Sequence, residues 1–286
     1  MEAKLNIRPL HPTLGAEVAG VDLASPLAPE TYRALHQAWM EHLVLVFPGQ
    51  GLSDEQQIAF ARQFGELEVH HQDIIKSRAS PEIFRLSNVD DDGKLMPAKH
   101  PYVAQISLAQ RWHTDSSFRP VPSMGSILHG VEITEDGGET WFANMYAAYE
   151  HVPQELKTLL ADKTALHVYD YEMRERFDID AGLDGIAHYS HPVIIRHPDT
   201  GRPALYVNPL MTARINELPA DESRAVLDEL FAIGQHPSVV YEHVWARDDF
   251  IMWDNLCSMH ARTDFSNDER RLLRRCVIEG ERPVAA

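Results

Sequence analysis

Beyond Met124 the sequence is cut by turn chemistry into short apolar or alternating runs, and this punctuation limits the fold more than any other feature. The runs "GSILHGVEI", "GETWFAN", "HPVIIRHPDTGRPALYVN", "VVYEHVWARDDFIMWDN" and "RRCVIEG" are broken by signals such as "EDGG" and "PDTG". There Gly supplies positive φ, and Pro and Asp initiate turns. Such runs predict strands. Ahead of them, "APETYRALHQAWMEHLVLVF" predicts an amphipathic helix with Tyr32, Leu35, Trp39 and Leu43 on one face, running into a buried strand at Val44–Phe47. "LSDEQQIAFARQFGEL" predicts a second helix, with Ser53 as N-cap and Gln56 in the capping-box position. "PQELKTLLAD" and "ADESRAVLDELFAIG" predict two more. With helices clustered early and strands late, the chain reads as α+β, mainly β, built on an antiparallel sandwich or barrel. No GxGxxG or Walker loop supports a nucleotide cofactor.

No repeat, low-complexity segment or linker divides the chain, so a single domain over residues 1–286 is expected. No apolar run reaches the roughly 18 residues of a membrane span, and the N-terminus lacks the pattern of a signal peptide. Two cysteines, Cys257 and Cys276, fit neither a disulfide framework nor a zinc site, and a cytoplasmic location follows. The formal charge of −17 argues against nucleic-acid or membrane partners. A small anionic ligand would need a local cluster of arginines against that field.

His-x-Asp occurs three times: His71–Asp73, His113–Asp115 and His197–Asp199. Alone the pattern is weak, because most such residues among 16 histidines are solvated or hydrogen-bonded. Context separates them. "HPDTG" is a hairpin tip, so His197 is expected to be a bystander, as is His71. "RWHTDSSF" has no Gly or Pro and reads as extended chain, which puts His113 and Asp115 on one face. Two histidines and one carboxylate leave three metal positions open, the arrangement of non-haem Fe(II) oxygenases. His260, in a strand after the "DN" turn of "DDFIMWDNLCSMHARTDF", is the candidate third ligand. It lies 145 residues beyond Asp115, so only a sheet folded back on itself could join them.

In "RRLLRRCVIEG", a strand would put Arg271, Leu273, Arg275 and Val277 on one face and Arg270, Leu272 and Arg274 on the other. Arg271 and Arg275 would stand about 13 Å apart, which suits two separate anionic groups. The plain alternative is a cationic edge strand facing water.

Taken in order, "LGAEVAGVDL", "LVFPGQGLSDEQQIAFARQFGELE", "WHTDSSF", "GGETWFANMYAAYEHVP", "HPDTGRPALYVN", "MWDNLCSMH" and "RRLLRRCVIEGERP" span nearly the whole chain. In that order and spacing the sequence resembles the Fe(II)/2-oxoglutarate-dependent dioxygenases of the taurine dioxygenase and 2,4-dichlorophenoxyacetate dioxygenase (TauD/TfdA) family. The resemblance implies a double-stranded β-helix, a cupin-like jelly roll flanked by helices. It implies Fe(II) held by His113, Asp115 and His260, and 2-oxoglutarate bound through Thr140 and Arg271. Arg275, His70, Ser116 and Met211 would meet the prime substrate, while Trp253, Asp254 and Asn255 shape the turn before His260. O2 is the oxidant, ascorbate an activator, and succinate and CO2 the co-products of a hydroxylation. Family members form dimers or tetramers, so a homo-oligomer is expected.

Asp73 and Met211 stand where taurine dioxygenase has aromatic residues, which favours a larger or less polar acid such as an aryloxyalkanoate. Taurine, an alkyl sulfonate or an alkyl sulfate is the alternative substrate. A jelly-roll binding protein without turnover is the alternative of another class, and desaturation an alternative outcome at the same iron.

Overall fold

Four sheets account for the strands of the computed structural model, which describes residues 5–69, 80–90, 92–173, 179 and 182–286. In the largest, β1 (Asn6–Pro9), β2 (Ala16–Ala19), β3 (Val44–Phe47), β13 (Phe250–Asp254), β5 (Gly125–Glu132), β15 (Leu272–Ile278) and β4 (Phe84–Ser87) lie side by side in that order. A second sheet orders β12 (Val240–His243), β6 (Thr140–Asn144) and β14 (Ser258–Arg262). The third orders β11 (Thr212–Ile215), β7 (Thr164–Val168) and β8 (His188–Pro192), and the fourth β10 (Pro203–Leu205), β9 (Ile194–Arg196) and β16 (Val284–Ala285). Apart from β2–β3, these pairings are antiparallel. Around the site consecutive strands change sheets: β5 lies in the large sheet and β6 in a small one, and β13 and β14 divide the same way. That winding is the expected jelly roll.

Alternation along the central strands explains why both faces of the large sheet are covered. Val44, Val46, Ile251, Trp253 and Leu273 point into the core between the sheets. Leu45, Phe47, Phe250, Met252, Cys276 and Ile278 point the other way, beneath α1 (Pro29–His42) and α2 (Asp54–Ala61). Helix α1 meets them with Leu35, Ala38 and Trp39, and α2 with Phe60 and Ala61. Each large side chain buried here contributes about 1.5–3 kcal/mol. The expected capping box opens α2: Ser53 Oγ accepts from the Gln56 amide, and Gln56 Oε1 accepts from the Ser53 amide.

Helices do not cluster early. After α3 (Pro101–Ile106), α4 (Met145–His151), α5 (Gln154–Leu160) and α6 (Ala220–Gly234) interleave with the strands. The start of α4 is hidden inside an apolar run, where Asn144 ends β6 and caps the helix by accepting from the Tyr146 and Ala147 amides. "VVYEHVWARDDFIMWDN" is likewise two strands in different sheets, not one run. Asp249 stops it by accepting from the Ala246 amide and pairing with His243.

Gly125 sits between Trp39 of one core and Trp253 of the other. A Cβ there would stand 2.6 Å from Trp39 Cζ2 and 3.0 Å from the Trp253 carbonyl. Gly125→Ala should therefore cost about 1–3 kcal/mol, the usual penalty for overpacking. Denaturant unfolding measures this, and an unchanged midpoint would show that α1 yields freely at this contact.

Candidate active site

His113 and His260 meet as a backbone-paired couple. The His113 amide donates to the His260 carbonyl and the His260 amide to the His113 carbonyl, both at 2.9 Å. The two imidazoles come to lie side by side, with centroids 4.2 Å apart. The reciprocal pair bridges the distance along the chain as only a folded-back sheet could. His113 Nδ1 donates to the Arg111 carbonyl at 2.7 Å, which leaves its Nε2 lone pair facing Asp115. His260 is packed between Phe142 and Trp253.

The chain does not stay extended through "RWHTDSSF". It turns after Asp115, with Ser116 at φ 60° and the Arg119 amide donating to the Ser116 carbonyl. Asn255 replaces the missing ladder bonds. Its Oδ1 accepts from the Asp115 amide at 2.8 Å, and its Nδ2 donates to the carbonyls of Asp115 and Ser123. The Asp115 carboxylate then stands 3.8 Å from each histidine Nε2.

Protonation states match a metal site. Burial alone would raise the Asp115 carboxyl, but Arg275 and the two imidazoles override it and hold it at about 2. Burial, then the neighbouring His113, pushes His260 down to about 3, and burial also lowers His113. Near neutral pH the trio is one carboxylate and two neutral imidazoles, the forms that bind a divalent ion. Their donor atoms lie within 4.8 Å of one another, so this set fits ferrous iron with half its coordination sphere left to the cavity.

That cavity, about 360 Å³, takes in all three residues together with Thr140, Arg271 and Arg275. Strand β15 has the expected register: Arg271, Leu273, Arg275 and Val277 face the cavity, while Arg270 pairs with Glu132 and Arg274 with Asp54 outside. Trp245 donates its indole N–H to Thr140 Oγ1 at 2.9 Å. An indole can only donate, so the Thr140 hydroxyl must point its own hydrogen elsewhere, toward an acceptor. Gly138 makes room for Arg271, since a Cβ there would lie 3.0 Å from the guanidinium Nε. Trp245 and Gly138 escaped the sequence reading; the "EDGG" signal marked the turn but not the guanidinium beside it.

Arg275 is engaged with Asp115, Nη2 to Oδ2 at 3.0 Å and Nη1 to Oδ1 at 3.3 Å. It also lies over the rings of Trp253 and Phe84. Ser116 and Met211 both line the cavity, and Ser117 Oγ donates to the Met211 sulfur at 3.4 Å. Trp253 lines it too, beyond its expected part in shaping the turn. One polar chain was not foreseen: Ser116 Oγ contacts Ser123 Oγ, Ser123 donates to Glu68, and Arg119 pairs with Glu68 at 2.7 Å. His70, His71 and Asp73 lie outside the described residues.

The family model described as "Taurine catabolism dioxygenase TauD, TfdA family" matches residues 6–277. Pentalenolactone F synthase from Streptomyces avermitilis is 36% identical over 95% of this chain and 92% of that protein. The (S)-phenoxypropionate/alpha-ketoglutarate-dioxygenase of Delftia acidovorans is 34% identical over 91% of this chain and 90% of its own. A crystal structure of AAD-2 in complex with Mn(II) and N-oxalylglycine superposes with a TM-score of 0.88 at 30% identity, over 99% of each chain.

His197 departs from its expected part. It begins the β9–β10 hairpin turn but is buried, and its Nε2 lies 2.8 Å from the Asp254 carboxylate. Asp254 Oδ1 accepts from the Cys257 amide at 2.6 Å, so the pair anchors the turn that leads to His260. His197, Asp254 and Cys257 also bring donor atoms within 4.8 Å, but these bonds already occupy the carboxylate, and the trio serves as a structural knot. Burial pulls the His197 pKa down, yet the hydrogen bond and charge of Asp254 outweigh it and the net shift is upward from 6.5. The stabilisation is therefore complete below pH 6.5 and is lost as pH rises through the raised folded value. His197→Ala should cost about 3–5 kcal/mol by leaving Asp254 buried and unpaired. Its deficit against the parent should shrink above neutral pH; a pH-independent difference in unfolding free energy would contradict the pairing.

Proposed function

The chain belongs to the TauD/TfdA family of 2-oxoglutarate-dependent dioxygenases, and from that membership we propose that it hydroxylates a small organic acid, an aryloxyalkanoate first. Iron(II) on His113, Asp115 and His260 would supply the O2 activation that couples oxidative decarboxylation of 2-oxoglutarate, to succinate and CO2, with hydroxylation of a C–H bond. Thr140 and Arg271 receive the distal carboxylate of 2-oxoglutarate, with the Thr140 hydrogen aimed by Trp245. Arg275 receives the acid group of the prime substrate, and Ser116 and Met211 flank its body. Where the hydroxylated carbon bears an ether oxygen, the product collapses to a phenol and an oxo acid. Ferrous iron and two buried free thiols suit a reducing cytoplasm, with ascorbate as activator.

One observation carries this reading: the His–Asp–His cluster opens onto the same cavity as two arginines from one strand face, Arg271 buried and Arg275 partly so. Similarity to the (S)-phenoxypropionate dioxygenase supports the choice of substrate, as do the apolar walls from Phe84, Phe118 and Met211. The Arg275 fork accepts sulfonate or sulfate oxygens as readily as carboxylate, so taurine, alkyl sulfonates and alkyl sulfates form the second reading.

Succinate formation with Fe(II), 2-oxoglutarate, ascorbate and O2 decides between them. The panel comprises aryloxyacetates, aryloxypropionates, taurine, alkyl sulfonates and alkyl sulfates. Succinate above background with an aryloxyalkanoate is the expected result; a rise only with sulfur acids would replace it with the second reading, and no response to either class would overturn both. Asp115→Ala should abolish iron-dependent turnover, and normal activity would sink the ligand assignment. Arg271→Ala should mainly raise the KM for 2-oxoglutarate and Arg275→Ala that for the prime substrate; the reverse pattern would misplace both arginines.

A further inference from the structure

Strand β14 brings a third arginine to the cavity. By the alternation that puts His260 there, Arg262, two residues on, faces the same side and lines the same space. Its Nη1 donates to the Thr263 carbonyl at 2.6 Å, and Arg271 Nη2 donates to the Gly138 carbonyl at 3.1 Å. Both guanidinium groups lie over the Phe265 ring, 4.7 and 5.4 Å from its centroid. Both residues are buried, at 8% and 4% exposure, and among the described residues neither forms an ion pair with a carboxylate. The nearest acids are turned to other partners: Glu139 accepts from Thr263 Oγ1, and Asp264, an exposed residue, accepts from Gln110.

Other arginines of this region are matched. Arg270 has Glu132, Arg274 has Asp54, and Arg275 has Asp115. Arg262 and Arg271 instead crowd each other in a poorly solvated place. Burial, then the charge of Arg262, pulls Arg271 down to about 9. Two buried cations without an ion-paired carboxylate are costly, and a carboxylate presenting both oxygens would relieve both at once.

We propose that Arg262 is a specificity-determining residue that, with Arg271, forms a two-guanidinium receptor for the distal carboxylate of the cosubstrate, a role that rests on this cavity being the 2-oxoglutarate site. The shared Phe265 ring holds the two guanidinium groups in place. A 2-oxo acid ending in a methyl group would leave both cations buried and unpaired, so the receptor selects 2-oxo diacids over 2-oxo monoacids.

The test is calorimetric titration of the Mn(II)-loaded full chain, which binds without turning over. The ligands are 2-oxoglutarate and 2-oxopentanoate, which has the same length but lacks the distal carboxylate. In R262Q the affinity for 2-oxoglutarate should fall about tenfold or more, while that for 2-oxopentanoate stays within about twofold. R262K, which keeps the charge but loses the fork, should fall between R262Q and the parent. Unchanged 2-oxoglutarate affinity in R262Q would overturn the proposal, and so would a parallel loss for both ligands, which marks a structural role. Should R262Q not fold, R262K carries the same comparison of the two ligands. A parent protein that holds Mn(II) but binds no 2-oxoglutarate would overturn the cosubstrate reading itself.

Discussion

Two backbone hydrogen bonds between His113 and His260 hold the candidate site together, one in each direction. They join a loop to a strand across 147 residues of chain, a separation whose entropic cost grows only slowly with length. What offsets that cost is the jelly roll around it. Strand β14 is paired along β6, and the turn before β14 hangs from β13, which is bonded on both sides within the large sheet. Asn255 in that turn then fixes Asp115 through two hydrogen bonds and ties it to Ser123 through a third. The geometry of the candidate ligands is thus set by backbone and amide contacts.

Electrostatics in the cavity runs against that of the whole molecule. A formal charge of −17 repels anions at a distance, while the cavity concentrates Arg262, Arg271 and Arg275 in low dielectric. The carboxylate facing Arg275 is itself part of the candidate metal site. Its low pKa is held by Arg275 and the two histidines against the effect of burial, whereas burial is what chiefly keeps the imidazoles neutral.

Much of this was legible in the sequence because it follows period-two alternation. The register of β15, the turn before His260 and the capping box of α2 are all local consequences of residue type. Local signals failed where a long-range partner decides the outcome. Asn255 bends the chain after Asp115, Asp254 turns a hairpin histidine into a buried anchor, and Trp245 aims a hydroxyl from a distant loop. Arg262 is a different kind of miss. It stands to His260 as Asp115 stands to His113, two residues on, and the same reasoning would have reached it.

Ser116 holds a left-handed backbone at φ 60° directly after the carboxylate ligand candidate, a conformation that costs a non-glycine residue about 1–2 kcal/mol. Glycine would remove that strain. It would also remove the Oγ that contacts Ser123 and loosen the peptide carrying Asp115. The residue therefore marks a point where thermostability and ligand precision pull in opposite directions. Engineering that ranks substitutions by folding energy alone would favour glycine here and trade away the definition of the site.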